Sequence, residues 1–272
     1  MSVRLIRSEK NQGPAAGRNT LLNAAVSSYI HFHDADDIFR PEWARKVSAA
    51  LKSRPDIVFT EVSYRTLEGG TAENVMGLHR LLSGRDLLLF GLRQVVLPSS
   101  ATFLRSKALE IGGFKIRDIL PMAEDFDFYL RFAAAADRFE VITDSLILAW
   151  KRTESHSSVN YRQCFISVID SLSALYGTLP KKYLPELAET AWRTGCQLYH
   201  LGMKNEAMRA FTLAKRSGTP EYRGRPGSYA WVANTFGAMT AESISAFYRR
   251  SISEEVRASL RKDRKPAAGG SE

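Results

Sequence analysis

Three carboxylates within four positions, Asp34, Asp36 and Asp37, follow directly on the apolar run from Tyr29 to Phe32. Carboxylates this close repel one another, so they suit either a solvated loop or the neighbourhood of a neutralising cation. The run before them reads as a strand, and ligands of open α/β sheets bind at the carboxyl ends of strands. Hard oxygen ligands suit Mg²⁺ or Mn²⁺, which in turn hold phosphate oxygens. The same residues also suit an acidic loop that caps the next helix, because D-x-D is short and common. A second acidic pair, Glu124-Asp125, opens a helical pattern that runs to Ala135. Phe126, Tyr129, Leu130 and Ala133 face inward in that pattern and Asp125 stays exposed. The helix dipole favours ionised carboxylates there, so the pair either does chemistry or complements the helix N-terminus. His31 and His33 alternate along the strand and share one face. They read as structural histidines, with a His-x-His-Asp metal site as the sharper alternative.

The elements that must position these groups alternate. Val3 to Ile6 suits a short strand, and Pro14 opens a helix carrying Arg18, Asn19, Leu21, Leu22 and Ala25 to about Ser27. The strand Tyr29–Phe32 follows, then a helix from Pro41 to Ser53 and a buried strand from Asp56 to Val62. Gly69-Gly70 marks a turn. A helix from His79 to Phe90, strands near Val95-Val96 and from Ala101 to Leu104, and the tight turn Gly112-Gly113-Phe114 come next. The helix Met122–Ala135 precedes strands Phe139–Thr143 and Leu146–Lys151. Alternation of this kind predicts an α/β sandwich. Beyond Val159 the pattern turns helical, over Cys164–Leu175, Pro185–Leu201, Glu206–Lys215 and Ala241–Leu260, with a loop from Thr219 to Ser228. The spacing predicts an α/β domain over 1–159, a helical tail over 160–262 and a disordered end over 263–272.

Composition narrows the class. The 272 residues carry a net charge of +9, concentrated beyond Tyr161. A basic tail suits an anionic membrane surface, nucleic acid or plain solubility. No nucleic-acid-binding pattern accompanies it, and nucleic acid is not expected as a partner. The two cysteines, Cys164 and Cys196, lack metal-ligand spacing and point to a reducing, cytoplasmic compartment. The start of the chain has no apolar stretch of a signal peptide. The apolar stretch Leu87 to Leu97 is interrupted by Arg93 and is too short to span a bilayer. Ala188 to Thr219 fits one tetratricopeptide-like helix pair, which cannot bury its own face and must stack on neighbours. Phe247, Tyr248, Arg249, Arg250, Arg257 and Arg261 give the last helix a face suited to peripheral contact with the inner face of a membrane, or to solvent.

Taken in order, Asn11-x-Gly13, Gly17-Arg18-Asn19, a strand, Asp34-Ala35-Asp36-Asp37 and Pro41 resemble the family-2 glycosyltransferase pattern of the GT-A type. Gly112-Gly113-Phe114 is similar to that family's G-G-F turn, and Glu124-Asp125-x-Asp127-x-x-x-Arg131 to its E-D-x-D-x-x-x-R helix. Arg152 with Ser157-Ser158 matches part of its closing segment. The resemblance implies an inverting transfer of a sugar from a UDP-, GDP- or dTDP-linked donor to a glycan or lipid-linked hydroxyl, in polysaccharide or glycoconjugate synthesis. It implies Asp34 at the nucleotide ribose, Asp36 on Mn²⁺ or Mg²⁺, and Arg18 close to the nucleotide. It further implies Asp125 as general base, Glu124 on the acceptor side, and His156 as a further metal ligand.

The resemblance starts late. A full GT-A domain begins with a strand, helix and strand ahead of Asn11-x-Gly13, and these carry part of the nucleotide pocket. The expected fold is therefore a partial GT-A sandwich lacking its first strand-helix-strand, followed by helices. A start assigned too far downstream, a genuine fragment, or a partner chain that supplies the rest would each account for this. The first fits best because Asp34, Asp36 and Asp125 are all present, and residues 1–272 alone are expected to transfer sugar poorly. The alternative function is a catalytically inactive relative acting as a binding or scaffold protein.

Overall fold

The computed structural model describes residues 3–65, 70–72, 76–150 and 159–251. Its centre is a mixed sheet of six strands: β1 (Tyr29–His31), β2 (Ile38–Phe39), β3 (Ile57–Arg65), β4 (Thr71–Ala72), β5 (Ala101–Leu104) and β6 (Phe139–Trp150). The order is β1-β5-β3-β6-β2, with β4 beside β3. Among the described residues β3 and β6 run parallel and the other pairs are antiparallel. Ile57, Val58 and Phe59 are fully buried, as a central strand covered on both faces requires.

The helices of this part are α1 (Gly13–Ala24), α2 (Trp43–Ala50), α3 (His79–Gly84), α4 (Leu87–Arg93), α5 (Arg105–Glu110) and α6 (Glu124–Ala135). Pro14 stands in the first turn of α1, where its missing N–H costs nothing. Beneath the sheet's β1–β5 side, Phe32, Phe103, Phe114, Phe128 and Phe132 form one aromatic cluster. Phe114 stacks on Phe128 at 3.9 Å between ring centres.

Several expected elements differ. Val3 to Ile6 forms no strand: Val3 and Leu5 are exposed, and Arg4 and Ile6 line a groove opposite Ile30 to His33 instead of pairing with it. Val95-Val96 is also not a strand. The single helix expected from His79 to Phe90 is two, because Arg85 turns left-handed at φ 46° and the Asp86 carboxylate accepts from the Leu89 N–H to start α4. The two strands expected between Phe139 and Lys151 are one. Register shifts on either side of Glu61, which pairs with Ser145, absorb Thr143 and Asp144 on one side and Leu146 on the other.

The helical part comprises α7 (Tyr161–Tyr176), α8 (Leu184–His200), α9 (Lys204–Ser217), α10 (Gly227–Phe236) and α11 (Ala238–Ser251). Helices α8 and α9 form the expected antiparallel pair, with Ala191, Leu198, Ala207, Phe211 and Ala214 buried. Gly195 is required at their crossing, since a Cβ there meets the Phe211 ring at 2.6 Å. The pair stacks on α4: the Thr190 hydroxyl donates to the Leu92 carbonyl at 2.7 Å, and the Tyr183 hydroxyl to Asp86 at 3.0 Å. Helix α10 occupies sequence read as loop and connector. The expected disorder of 263–272 lies outside the described residues. Among those residues no helix is long and apolar enough to cross a membrane.

Candidate functional site

Arg18 projects from α1 toward the carboxyl end of β1 and is only 11% exposed. Its Nη2 donates to Asp34 at 3.1 Å and its Nη1 to Asp125 at 2.5 Å, and Glu124 lies 3.6 Å from Nη1. One guanidinium thus gathers three of the predicted site residues, drawn from the acidic loop after β1 and from the first turn of α6. Its carbon sits 5.4 Å from the Phe114 ring centre, within reach of a cation–π contact.

The neighbouring motif residues hold this arrangement. The Asn19 amide donates to the Phe114 carbonyl at 2.7 Å and its Oδ1 accepts from the Phe114 N–H at 2.8 Å. Gly113 lies beneath at φ 66°, and a Cβ there falls 2.4 Å from the Asn19 oxygen. From the other side Arg131 donates to the carbonyls of Ile111 and Gly113, at 2.6 and 2.7 Å. Arg131 is itself fixed by fully buried Asp127, which also accepts from Lys115 at 2.7 Å. Asn19, Gly113, Asp127 and Arg131 are therefore a frame that sets where α6 begins. The sequence placed them in motifs without assigning them this work. Only the coincidence of Asn19 following Arg18 and Arg131 following Asp127 by one helical turn signalled it.

Asp125 is half-buried, not exposed, with its side chain 28% accessible. Burial pushes its pKa up to about 7, with Glu124 and Asp34 adding to the rise against the opposing pull of Arg18. A carboxyl poised there takes up or releases a proton near neutral pH. Asp34 and Asp36 are exposed on their loop, where the Asp37 N–H donates to the Asp34 carbonyl at 3.1 Å. Asp37 turns inward. Its pKa is raised by burial and by Asp34 and Asp36, against a hydrogen bond with Ser99. Beside Arg18 and Asp34 opens a groove of about 570 Å³, lined also by Arg4, Pro14, His31 and His33.

The two histidines do share a face, 5.6 Å apart, in a cluster with Phe39 and Trp43. His33 stacks on Phe39 at 3.7 Å and its Nε2 meets the Asp37 carbonyl at 3.0 Å. Burial, with His33 adding to it, drives the His31 pKa down to about 3, so that ring is neutral. Among the described residues no three His, Cys, Asp or Glu side chains converge as a metal cage. His156 lies outside the described residues.

The match to known proteins covers part of these residues. The model of glycosyl transferase family 2 matches residues 1–112, which hold Arg18, Asp34 and Asp36 but stop short of Asp125. Succinoglycan biosynthesis protein ExoU of Rhizobium meliloti (strain 1021) is 26% identical over 154 residues, 52% of this chain and 43% of that protein. An uncharacterized glycosyltransferase of Methanocaldococcus jannaschii is 28% identical over 144 residues, 52% of this chain and 48% of that protein. The chain thus spans about half the length of these relatives. Among solved structures, residues 1–349 of S. aureus TarS in complex with UDP-GlcNAc align over 92% of this chain and 76% of that one. The TM-score is 0.61 at 15% identity, a likeness of fold. Residues 1–112 are thus similar to glycosyl transferase family 2, and the α/β sandwich has the GT-A fold, continued by helices.

Proposed function

We propose that a nucleotide sugar binds at the Arg18–Asp34–Asp36 side of the groove and that its sugar passes, with inversion, to a hydroxyl acceptor beside Asp125, slowly where residues 1–272 act alone. The observation that carries this reading is the single guanidinium bridging Asp34 and Asp125. It joins a donor-side carboxylate and a titratable carboxyl across one cleft.

Asp34 suits the ribose hydroxyls, as an exposed acceptor at the end of β1. Asp125 suits the acceptor alcohol: it takes the hydroxyl proton as that oxygen attacks the anomeric carbon, and a single displacement inverts the centre. Glu124, beside it, lies on the acceptor side. Mg²⁺ or Mn²⁺ fits the donor set. These ions need one or two carboxylates and take their remaining ligands from phosphate and water, so no all-protein cage is required. Asp36, with hard oxygens on an exposed loop, would hold the ion. When bound, the ion supplies positive charge for the diphosphate as it leaves. His156 is proposed as a further ligand on resemblance alone. UDP, GDP and dTDP are the donor nucleotides to examine, and the kinship with a succinoglycan biosynthesis protein supports a glycan or lipid-linked acceptor.

The helical part is proposed to rest on an anionic membrane. Trp231, Phe236, Phe247 and Tyr248 are all at least 59% exposed on α10 and α11, and the helical part is basic. Co-sedimentation with phosphatidylglycerol vesicles, compared with phosphatidylcholine ones, tests that contact.

Calorimetric titration with UDP, GDP and dTDP, with and without Mn²⁺, tests the donor site. Binding of one nucleotide, strengthened by Mn²⁺ and reduced by Asp34→Asn, is the expected result. Binding of none, or binding indifferent to Asp34, would overturn the reading.

A further inference from the structure

We propose that the groove between α8 and the turn Tyr222–Arg225, in the helical part, is a second binding site and that it takes a phosphate group. The inference is independent of the donor-site reading above.

The groove encloses about 380 Å³. Arg193 and Gln197, one helical turn apart on α8, form one wall, and Arg223, Gly224 and Arg225 form the other, over Trp192. Among the described residues three guanidinium groups line it and no carboxylate does. A guanidinium presents planar, paired N–H groups that match the oxygens of phosphate. Gly224 stands at φ 79° with open space where a Cβ would lie, so a ligand can approach the backbone there.

The arginines of the turn are held by carboxylates that do not line the groove. The Arg225 N–H closes the turn on the Tyr222 carbonyl at 3.0 Å. Buried Glu189 accepts from the N–H groups of Tyr222 and Arg223, at 2.9 and 3.0 Å. Glu186 takes both terminal nitrogens of Arg223, and Glu242 takes Arg225, whose guanidinium carbon lies 4.8 Å from the Tyr229 ring centre. Each terminal nitrogen carries two N–H groups, so these contacts leave donors for a ligand. The guanidinium groups are fixed before a ligand arrives, which removes the ordering cost that loose surface arginines bring to binding.

One positive charge is left over. Arg93, Arg223, Arg225 and Arg249 meet Glu186, Glu221 and Glu242 in ion pairs, and Glu189 is taken up by the N–H groups of the turn. These four arginines and four glutamates balance. His200, beside Glu242, has its pKa lowered by burial and adds no charge at neutral pH. Arg193 is the surplus. It is exposed, and among the described residues it has no ion-pair or hydrogen-bond partner. A groove with fixed N–H donors and one uncompensated cation at its rim suits an anion rich in acceptor oxygens. The phosphodiester of a lipid headgroup and soluble phosphate share that chemistry.

The test is calorimetric titration of the full chain with inorganic phosphate near neutral pH, at constant ionic strength and without nucleotide. Arg193→Gln removes the surplus charge from an exposed side chain with no partner, and should weaken phosphate binding by about fivefold to tenfold. Gln197→Glu sets a carboxylate one turn from Arg193, where it pairs with that arginine, and should weaken binding by at least as much. Lys52→Gln, the same loss of charge elsewhere on the surface, should change it by less than about twofold. No saturable binding by the parent chain, or equal affinity in the parent, Arg193→Gln and Gln197→Glu, overturns the site. Binding that Arg18→Gln removes and Arg193→Gln leaves belongs to the donor site and also overturns this one. Vesicles of phosphatidylglycerol separate the two sources. Vesicles released both by inorganic phosphate and by Arg193→Gln assign the group to a lipid headgroup. Vesicles that stay unbound, or whose binding neither change affects, assign it to soluble phosphate. Either result, with phosphate binding sensitive to Arg193, supports the site.

Discussion

Two acidic clusters in this molecule use the same ingredients and reach opposite electrostatic states. At the mouth of the sheet, three carboxylates share Arg18, and Asp125 is pushed up to about 7. Where the helices dock on α4, Glu186 is 4% exposed and meets two arginines. Arg223 binds it through both terminal nitrogens, at 2.6 and 2.9 Å, and Arg93 at 2.9 Å. Burial works against its charge, but the hydrogen bonds from Arg223 and Arg93 hold its pKa below the ordinary value. Buried Glu242 is likewise surrounded by donors, accepting from Arg225, Tyr229 and Arg249. Where donors outnumber carboxylates, the cluster fastens helices together. Where carboxylates outnumber donors, it stays short of positive charge and open to a ligand that supplies some.

The largest expected effect is on chemistry. Asp125→Asn should lower the transfer rate by about 10²- to 10⁴-fold, the range for loss of a general base, while nucleotide binding persists. The rate in the unaltered chain should rise with pH through about 7, because the base must be ionised. A rate that survives the substitution would remove Asp125 from the reaction and erase the functional half of the contrast.

Next comes the fastening cluster. Glu186→Gln leaves Arg93 without its counter-charge and Arg223 with Glu221 alone, and with both arginines part-exposed it should cost about 2 kcal/mol in urea unfolding at neutral pH. Its folded pKa is depressed, so the stability it contributes is present above the unfolded carboxylate range. That contribution disappears as pH falls through the folded value, and with it the difference between the two proteins.

Asp125→Asn should do the reverse. A carboxyl whose folded pKa is raised contributes stability at low pH that is lost as pH rises from about 4 through about 7. The variant should therefore be more stable than the parent above pH 7, by about 1 to 2 kcal/mol, and equal to it in acid. Opposite signs for Glu186 and Asp125 sharpen the comparison, and equal signs break it. The smallest effect belongs to Asp36→Asn. Exposed on its loop, it should shift stability by no more than about 0.5 kcal/mol, yet remove the Mn²⁺-dependent part of nucleotide binding.

Much of this site was legible in the order of residues along the chain. Apolar strands ending in carboxylates announced the loop at Asp34, and the periodicity of Phe126, Tyr129, Leu130 and Ala133 announced α6. What could not be read was the wiring. Asn19 bonds Phe114 across 95 positions, and nothing local to either residue specifies that contact. The half-buried state of Asp125 depends on Arg18 lying against it, so helix position alone suggested exposure. Val3 to Ile6 has the composition of a strand, but a strand also needs a neighbour to pair with, and composition does not supply one. The helix α10 was missed because Gly227 and the preceding proline read as loop, although burial of Tyr229 and Ala233 decides in favour of a helix.

The most direct test is a crystal structure of the chain with the nucleotide that calorimetry selects and Mn²⁺. The ion on Asp36, the diphosphate beside Arg18 and the open end of the phosphate facing Asp125 are expected. A nucleotide seated elsewhere, or one that leaves Asp125 on the far side of the protein from its phosphates, contradicts the shared cleft on which the proposed transfer depends.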